Sequence, residues 1–283
     1  VNPAAGRTSA PGALAPRALS ADEVPSVRRD PALVVPGRDW FARDVRDVAR
    51  DLLGAVVTTR TADGTVAVRL TEVEAYGGGD DPGSHAARGR SARNASMFGP
   101  PGRLYVYRHL GLHHCVNVVT GPRDEPAAVL LRAGEVVEGA QLAWTRRSGV
   151  GRVGSHRDLA RGPARLAVCL GVDRDWDGDD VTGATARCSV QVLEPVLSTA
   201  SEAGLGRDPG GRVARGPRVG VAGPGGDADR FPWRWWLTDE PTVSPYRRAA
   251  RRAGTPGAST AARPVRGRAR TASCRPPTSA GAP

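Results

Sequence analysis

Lysine is absent: all forty basic residues of this 283-residue chain are Arg. That absence excludes Schiff-base chemistry through a lysine amine. It equally excludes phosphate binding by a lysine-bearing Gly-rich loop, and Gly77-Gly78-Gly79 is not followed by the helical pattern that a dinucleotide loop requires. Cysteine is scarce. Cys115, Cys169, Cys188 and Cys274 are scattered with no CxxC pair, which favours reduced thiols over a disulfide framework or a zinc site. There is no run of about 18 apolar residues and no charged-then-apolar leader, so a soluble, cytoplasmic protein with no membrane partner is expected. Aromatic residues make up only 5% of the chain, yet three of its four Tyr fall between positions 76 and 107.

The formal charge of +11 suggests a polyanionic partner, but its location matters. Residues 247–283 carry nine Arg and no acid, whereas residues 38–246 carry 27 Arg against 26 acids. The central part is thus nearly neutral, and global charge is a poor argument for nucleic-acid binding. The Arg-rich end supplies sequence-independent phosphate attraction, or it is a compositionally biased extension without a role. Both readings stay open.

With 36 Gly and 24 Pro, part of the chain is not expected to pack. Residues 1–37 and 248–283 read as disordered extensions around a single compact domain at 38–247. Order is expected to begin near Asp39-Trp40-Phe41, and Phe41, Val45, Val48, Leu52 and Leu53 recur at helical spacing before Gly54. Ala55–Arg60 and Thr65–Glu74 read as a hairpin around Ala62-Asp63-Gly64. Residues 77–102 are too long for a simple connection and read as a functional loop. Further strands are expected at Leu104–Tyr107, Cys115–Val119, Ala127–Ala133, Val190–Glu194, Arg218–Val221 and Trp235–Leu237, with a Gly/Arg-rich interruption at Glu202–Gly216. Helices are expected over Glu138–Arg147 and Pro163–Leu170, where Pro163 suits a first helical turn. Hairpins interspersed with a few helices predict a mixed α+β domain with a curved, mainly antiparallel sheet as an open-barrel core.

Candidate chemistry concentrates between Thr71 and Arg132. Glu74 ends an apolar-alternating strand and is the first candidate for a general base; the bland reading is a solvated strand-end carboxylate. Glu72 is expected on the same face, so one of the pair could be a surface group. Tyr76, His85, Tyr107 and Tyr105 could form aromatic walls, although a single Tyr is more often core. Asn117 offers both donor and acceptor to a base edge, or it satisfies backbone at a strand edge. Arg132 ends an apolar strand, where a buried guanidinium needs a carboxylate or phosphate partner, and Glu74 is one candidate. His113 and Cys115 could converge on a metal but find no second cluster, so no metal and no cofactor is expected.

Thr71-Glu72-Val73-Glu74-Ala75-Tyr76, Arg93-Asn94, Met97-Phe98, Pro101-Gly102, Leu104–Tyr107, Asn117 and Val129–Ala133, followed by Arg161–Leu166 and Pro217–Val221, closely resemble the alkyladenine (3-methyladenine) DNA glycosylase family. The resemblance spans about 40–245 and omits both ends. It implies that Glu74 activates water with Arg132 beside it. It also implies that Tyr76, His85 and Tyr107 sandwich an extruded base and that Asn117 disfavours a purine with an N2 amino group. Where some members carry a wedging Tyr, this chain has Leu110, an apolar side chain that can still enter a base step. Arg93, Arg108 and His109 would contact the DNA backbone. The implied activity is monofunctional base-excision repair: an alkylated or deaminated purine is flipped from double-stranded DNA and its N-glycosidic bond hydrolysed by a monomer, nucleoid-associated in a bacterium. The alternative is a noncatalytic nucleic-acid-binding module.

Overall fold

Two β-branched runs meet at Ala62-Asp63 and form the expected hairpin, β2 (Val56–Thr61) and β3 (Gly64–Tyr76), paired from Thr61↔Gly64 to Val56↔Arg69. The computed structural model describes residues 33–194 and 212–249 and builds the remaining elements around this hairpin. Before it come β1 (Leu33–Val34), α1 (Arg38–Phe41) and α2 (Val45–Asp51). After it come β4 (Leu104–His109), β5 (His113–Thr120), β6 (Ala127–Glu138), α3 (Ala140–Ser148), β7 (Ala160–Arg161) and α4 (Pro163–Leu170). The last strands are β8 (Cys188–Leu193), β9 (Val213–Gly216) and β10 (Arg234–Leu237). The expected N-terminal extension up to residue 32 and the Arg-rich end from residue 250 lie outside the described residues.

The strands form one antiparallel sheet in the order β1-β8-β2-β3-β6-β5-β4, with β7 on β6 and β10 joining β3 to β9. Among the described residues the sheet does not close on itself, and with the helices it gives the mixed α+β fold the sequence implies. Among the described residues no helix is long and apolar enough to cross a membrane.

Local chemistry explains most element boundaries. The helical spacing from Phe41 to Leu53 is interrupted before Val45, because Asp44 accepts the Arg46 backbone N–H at 2.8 Å and caps α2. Pro163 occupies the first turn of α4, where its missing N–H costs nothing. Three expectations are corrected. Arg218–Val221 is a turn, not a strand: Arg218 spends its donors on a carboxylate and on two distant carbonyls, and Gly220 has φ +72°. The interruption expected at Glu202–Gly216 contains β9 at its end, paired along its whole length to β10. Leu33–Val34 pair with Leu193 and Val192, ahead of the point where order was expected to begin.

Helices α2 and α4 pack against β3, β5 and β6, and the core lies between. In β3, Val66, Val68 and Leu70 belong to that core, and so do Val73 and Ala75. The alternation therefore changes phase near Thr71. Pairing with β6 shows the cause: Leu70↔Gly134, Glu72↔Ala133 and Val73↔Leu131 leave Thr71 on one strand and Arg132 on the other without partners. Such bulges re-aim side chains locally. Here they carry Glu72 and Glu74 off the core face that a regular strand would have given them.

Candidate active site

On the face of the sheet opposite the core lies a cavity of about 440 Å³, touched at its edge by Pro163 of α4 and within the usual range of small-molecule pockets. Tyr105 and Tyr107 of β4, Cys115 and Asn117 of β5, and Ala128, Leu130 and Arg132 of β6 line it from the sheet. Their alternate neighbours Leu104, Val106, Val116, Val118, Val129 and Leu131 are core, so period-2 alternation builds this wall. The opposite wall comes from two loops, through Pro82, Gly83 and His85 on one and Val219–Ala222 on the other.

Glu74 is fully buried. It is not itself on the cavity wall, but each of its partners is: Tyr76, Arg132 and Val219. The Val219 N–H donates to Oε1 at 2.6 Å, the Tyr76 hydroxyl to Oε2 at 2.7 Å, and Arg132 Nη1 stands 3.3 Å from Oε1. A carboxylate offers about four acceptor sites, so these donors leave lone-pair capacity on the group. Burial first, and then the Glu74 charge, push the Tyr76 phenol well above its ordinary pKa, so its proton stays on Tyr76 and points at the carboxylate. Burial alone would lower the Arg132 pKa, but Glu74 and Glu72 outweigh it and leave it raised; Arg132 is a cation throughout.

Glu72 is no surface group. It is fully buried, and Arg132, Arg234 and Ser244 all donate to it. Arg132 thus meets both carboxylates, where Glu74 alone was one expected partner.

The aromatic groups expected as walls do come together. The His85 ring stands edge-on to Tyr107 with centroids 4.5 Å apart, and its Nδ1 lies 2.9 Å from the Tyr105 hydroxyl. Partial covering of the ring, with Arg93 and His109 nearby, lowers the His85 pKa, which favours the neutral imidazole. Burial pushes the Tyr105 phenol up to about 12 and raises that of Tyr107 further. Asn117 lines the cavity while its amide donates to the Tyr105 carbonyl at 2.9 Å, so the backbone-satisfying reading and a position on the pocket both hold. Asn94 organises the 77–102 loop: its side chain joins Ser91 to the carbonyls of His85 and Gly89 and so sets where His85 stands.

The remaining expected residues lie outside the cavity or at its mouth. His109 is exposed and lines the opening, while Arg93 and Arg108 are exposed beyond it. Leu110 tips the β4–β5 hairpin, 81% exposed and at φ +49°, with Leu112 beside it 69% exposed. A non-glycine residue in left-handed backbone costs about 1–2 kcal/mol. His113 is exposed whereas Cys115 is buried on the cavity wall. Among the described residues no three His, Cys, Asp or Glu side chains are placed to hold a metal.

One pair escaped the sequence reading. Arg218 and Asp81 are both buried, joined through two hydrogen bonds at 2.5 and 2.7 Å. Asp81 also accepts the Gly77 and Gly83 N–H groups, and Arg218 donates to the carbonyls of Ala75 and Gly225. The pair ties together the two loops of the outer wall. Gly83 and Gly225 abut where they cross, and a Cβ on Gly83 would reach within 2.5 Å of the Arg218 guanidinium. The guanidinium lies 4.5 Å from the Tyr76 ring centroid and 5.5 Å from those of Phe231 and Trp233. The signal available in the sequence was Pro217 and Gly220 flanking Arg218-Val219, a turn pattern.

Known proteins match this arrangement of sequence. The family described as Methylpurine-DNA glycosylase matches residues 39–241. A Streptomyces avermitilis protein is 50% identical over 210 residues, covering 74% of this chain and 91% of its own length. One from Leifsonia xyli subsp. xyli is 49% identical over 221 residues, 77% of this chain and 96% of its own length. A third, from Mycobacterium tuberculosis, is 43% identical over 216 residues, covering 75% and 94%. All three carry the name "Putative 3-methyladenine DNA glycosylase". The chain belongs to the methylpurine-DNA glycosylase family.

Proposed function

We propose that the protein acts as a monomer on duplex DNA, flips an alkylated or deaminated purine into the cavity and hydrolyses its N-glycosidic bond with water activated by Glu74. The observation that carries this reading is a fully buried carboxylate behind an aromatic-walled cavity, with Arg132 beside it. Extruding a base costs a few kcal/mol, and less where a lesion has already weakened pairing. Contact with Tyr76, His85 and Tyr107 offsets that cost, stacking being worth about 1–3 kcal/mol per base. Asn117, tied to Tyr105, presents a fixed amide to the base edge.

An N3- or N7-alkylated purine is already cationic and leaves as a neutral base once it takes the bonding electron pair from C1′. C1′ then carries oxocarbenium-like charge. Glu74 faces that charge, and water entering beside Arg132 adds to C1′ while its proton passes to the carboxylate. No lysine is available to trap the sugar aldehyde, so the product is an intact abasic site and the enzyme is monofunctional.

Release of free base in excess over enzyme, from duplexes carrying N3-methyladenine, is the expected outcome. Retention of the duplex with no base released would favour the noncatalytic binding module.

Leu110 is assigned as the wedge that fills the space left by the flipped nucleotide, with Arg93, Arg108 and His109 toward the phosphates. Its exposure and its left-handed backbone at a hairpin tip beside His109 support this placement. Burying a Leu side chain contributes about 1.5–3 kcal/mol, so Leu110→Ala should weaken binding of a lesion duplex about tenfold or more. Leu110→Tyr should tighten it by restoring a stacking surface. Fluorescence anisotropy with a non-hydrolysable lesion analogue measures both. Unchanged affinity in the two variants would remove Leu110 from this role.

A further inference from the structure

Arg132 meets Glu74 less closely than a free guanidinium would. Its Nε donates to Glu72 Oε1 at 2.9 Å and its Nη2 to the Ser244 hydroxyl at 3.2 Å. Only Nη1 reaches Glu74, at 3.3 Å. Arginine beside a carboxylate prefers a two-nitrogen fork, and that fork is spent elsewhere. Glu72 is itself held rigidly: Oε1 also accepts from Arg234 Nε at 2.6 Å and from the Ser244 hydroxyl at 3.0 Å, and Oε2 accepts the Ser244 N–H at 2.8 Å. Two buried carboxylates and two buried guanidinium groups balance in charge.

We infer that Glu72 is a positioning residue for the reaction, one that draws Arg132 sideways so that the guanidinium touches Glu74 through a single nitrogen. The inference rests on Glu74 being the base. A base needs an ionised carboxylate with a free lone pair; a bidentate Arg would stabilise the anion and occupy the lone pairs that water needs. Glu72 keeps Arg132 close enough to hold water and too constrained to neutralise Glu74. Ser244, on the segment after β10, anchors both partners and so brings residues far along the chain into the site.

Glu74 is faced by Arg132 from β6 and Tyr76 from its own strand, with Tyr107 of β4 and Cys115 of β5 at longer range. Glu72 is faced by Arg132, by Arg234 of β10 and by Ser244. Removing the Glu72 charge while keeping its shape frees Arg132 to close on Glu74.

The test compares Glu72→Gln, Ser244→Ala and Glu74→Gln with the wild type. The readouts are single-turnover excision of N3-methyladenine from duplex DNA as a function of pH and the Kd for the same duplex. This lesion is cationic before it leaves, so the rate reports the base without a requirement for acid. Glu72→Gln is expected to lose about 10- to 100-fold in rate at neutral pH, the scale of a misplaced catalytic group. Its acid limb should move to lower pH, with Kd unchanged. Ser244→Ala should shift rate and profile in the same direction by a few-fold, and it answers the question even where Glu72→Gln does not fold. Wild-type rates and profiles in both variants, with Glu74→Gln inactive, overturn this inference alone, as does a rate loss that follows weakened Kd with an unmoved profile. Wild-type excision by Glu74→Gln overturns the base assignment and this inference together.

Discussion

Glu74→Gln should hold a lesion duplex and fail to cut it, losing about 10²–10⁴-fold or more in single-turnover rate from the general-base contribution alone. The amide is nearly isosteric with the carboxylate. Its oxygen can still accept from the Val219 N–H, and the Tyr76 hydroxyl can rotate to accept from the new NH₂. Cavity walls and lesion Kd should therefore survive. Two things are lost together: the acceptor that takes the proton from water and the negative charge facing C1′. The measurement is excision of N3-methyladenine alongside anisotropy on a non-hydrolysable duplex. A rate near wild type would remove Glu74 as the base.

The second large effect falls on stability. Arg218→Met keeps length and apolar bulk but leaves Asp81 buried without its cation. Breaking a buried pair by removing one partner costs about 3–5 kcal/mol. For a domain of this size each kcal/mol lowers Tm by about 2–4 °C, so a fall of roughly 6–20 °C is expected in a calorimetric scan. The same change loosens the turn that aims the Val219 N–H at Glu74. Excision should then decline at temperatures where the variant remains folded. Arg218→Lys would not rescue it, because an ammonium cannot reproduce the two-nitrogen grip on Asp81 with the bonds to Ala75 and Gly225. An unchanged Tm would mean that the Asp81 carboxylate is satisfied by the Gly77 and Gly83 amides alone.

Some of this was legible in the residues. Pro163 and the apolar spacing behind it located α4, and β-branched runs around Ala62-Asp63 located the hairpin that carries Glu74. Such signals are local, and local chemistry sets them. Three tyrosines within 32 positions and an Arg ending an apolar strand pointed to one pocket, and the structure places Tyr76, His85, Tyr107, Asn117 and Arg132 around it. Neither carboxylate of the pair is a surface group, and for Glu72 the reason is its partners Arg234 and Ser244, 162 and 172 positions away. Spacing along a strand cannot reveal a carboxylate saturated from so far. Arg218 was misjudged for a related reason: a short β-branched stretch looks like a strand until a distant Asp81 claims its guanidinium. The change of phase at Thr71 was equally invisible, because alternation from Val66 to Leu70 continues naturally into Glu72 and Glu74.

That change of phase links inheritance of the site to inheritance of the sheet. Thr71 and Arg132 are one supernumerary residue apiece on adjoining strands, and each restores the count that the other upsets. Deleting Thr71 alone would keep Glu72 and Glu74 off the face of Val68 and Leu70 but leave Arg132 unmatched on β6, so that β3 and β6 pair one residue out of step beyond that point. Deleting position 132 would take away the guanidinium and leave β6 out of step with β3. Losing either one alone slips β3 against β6 by one residue beyond this point, so a single deletion here disturbs the sheet together with the chemistry.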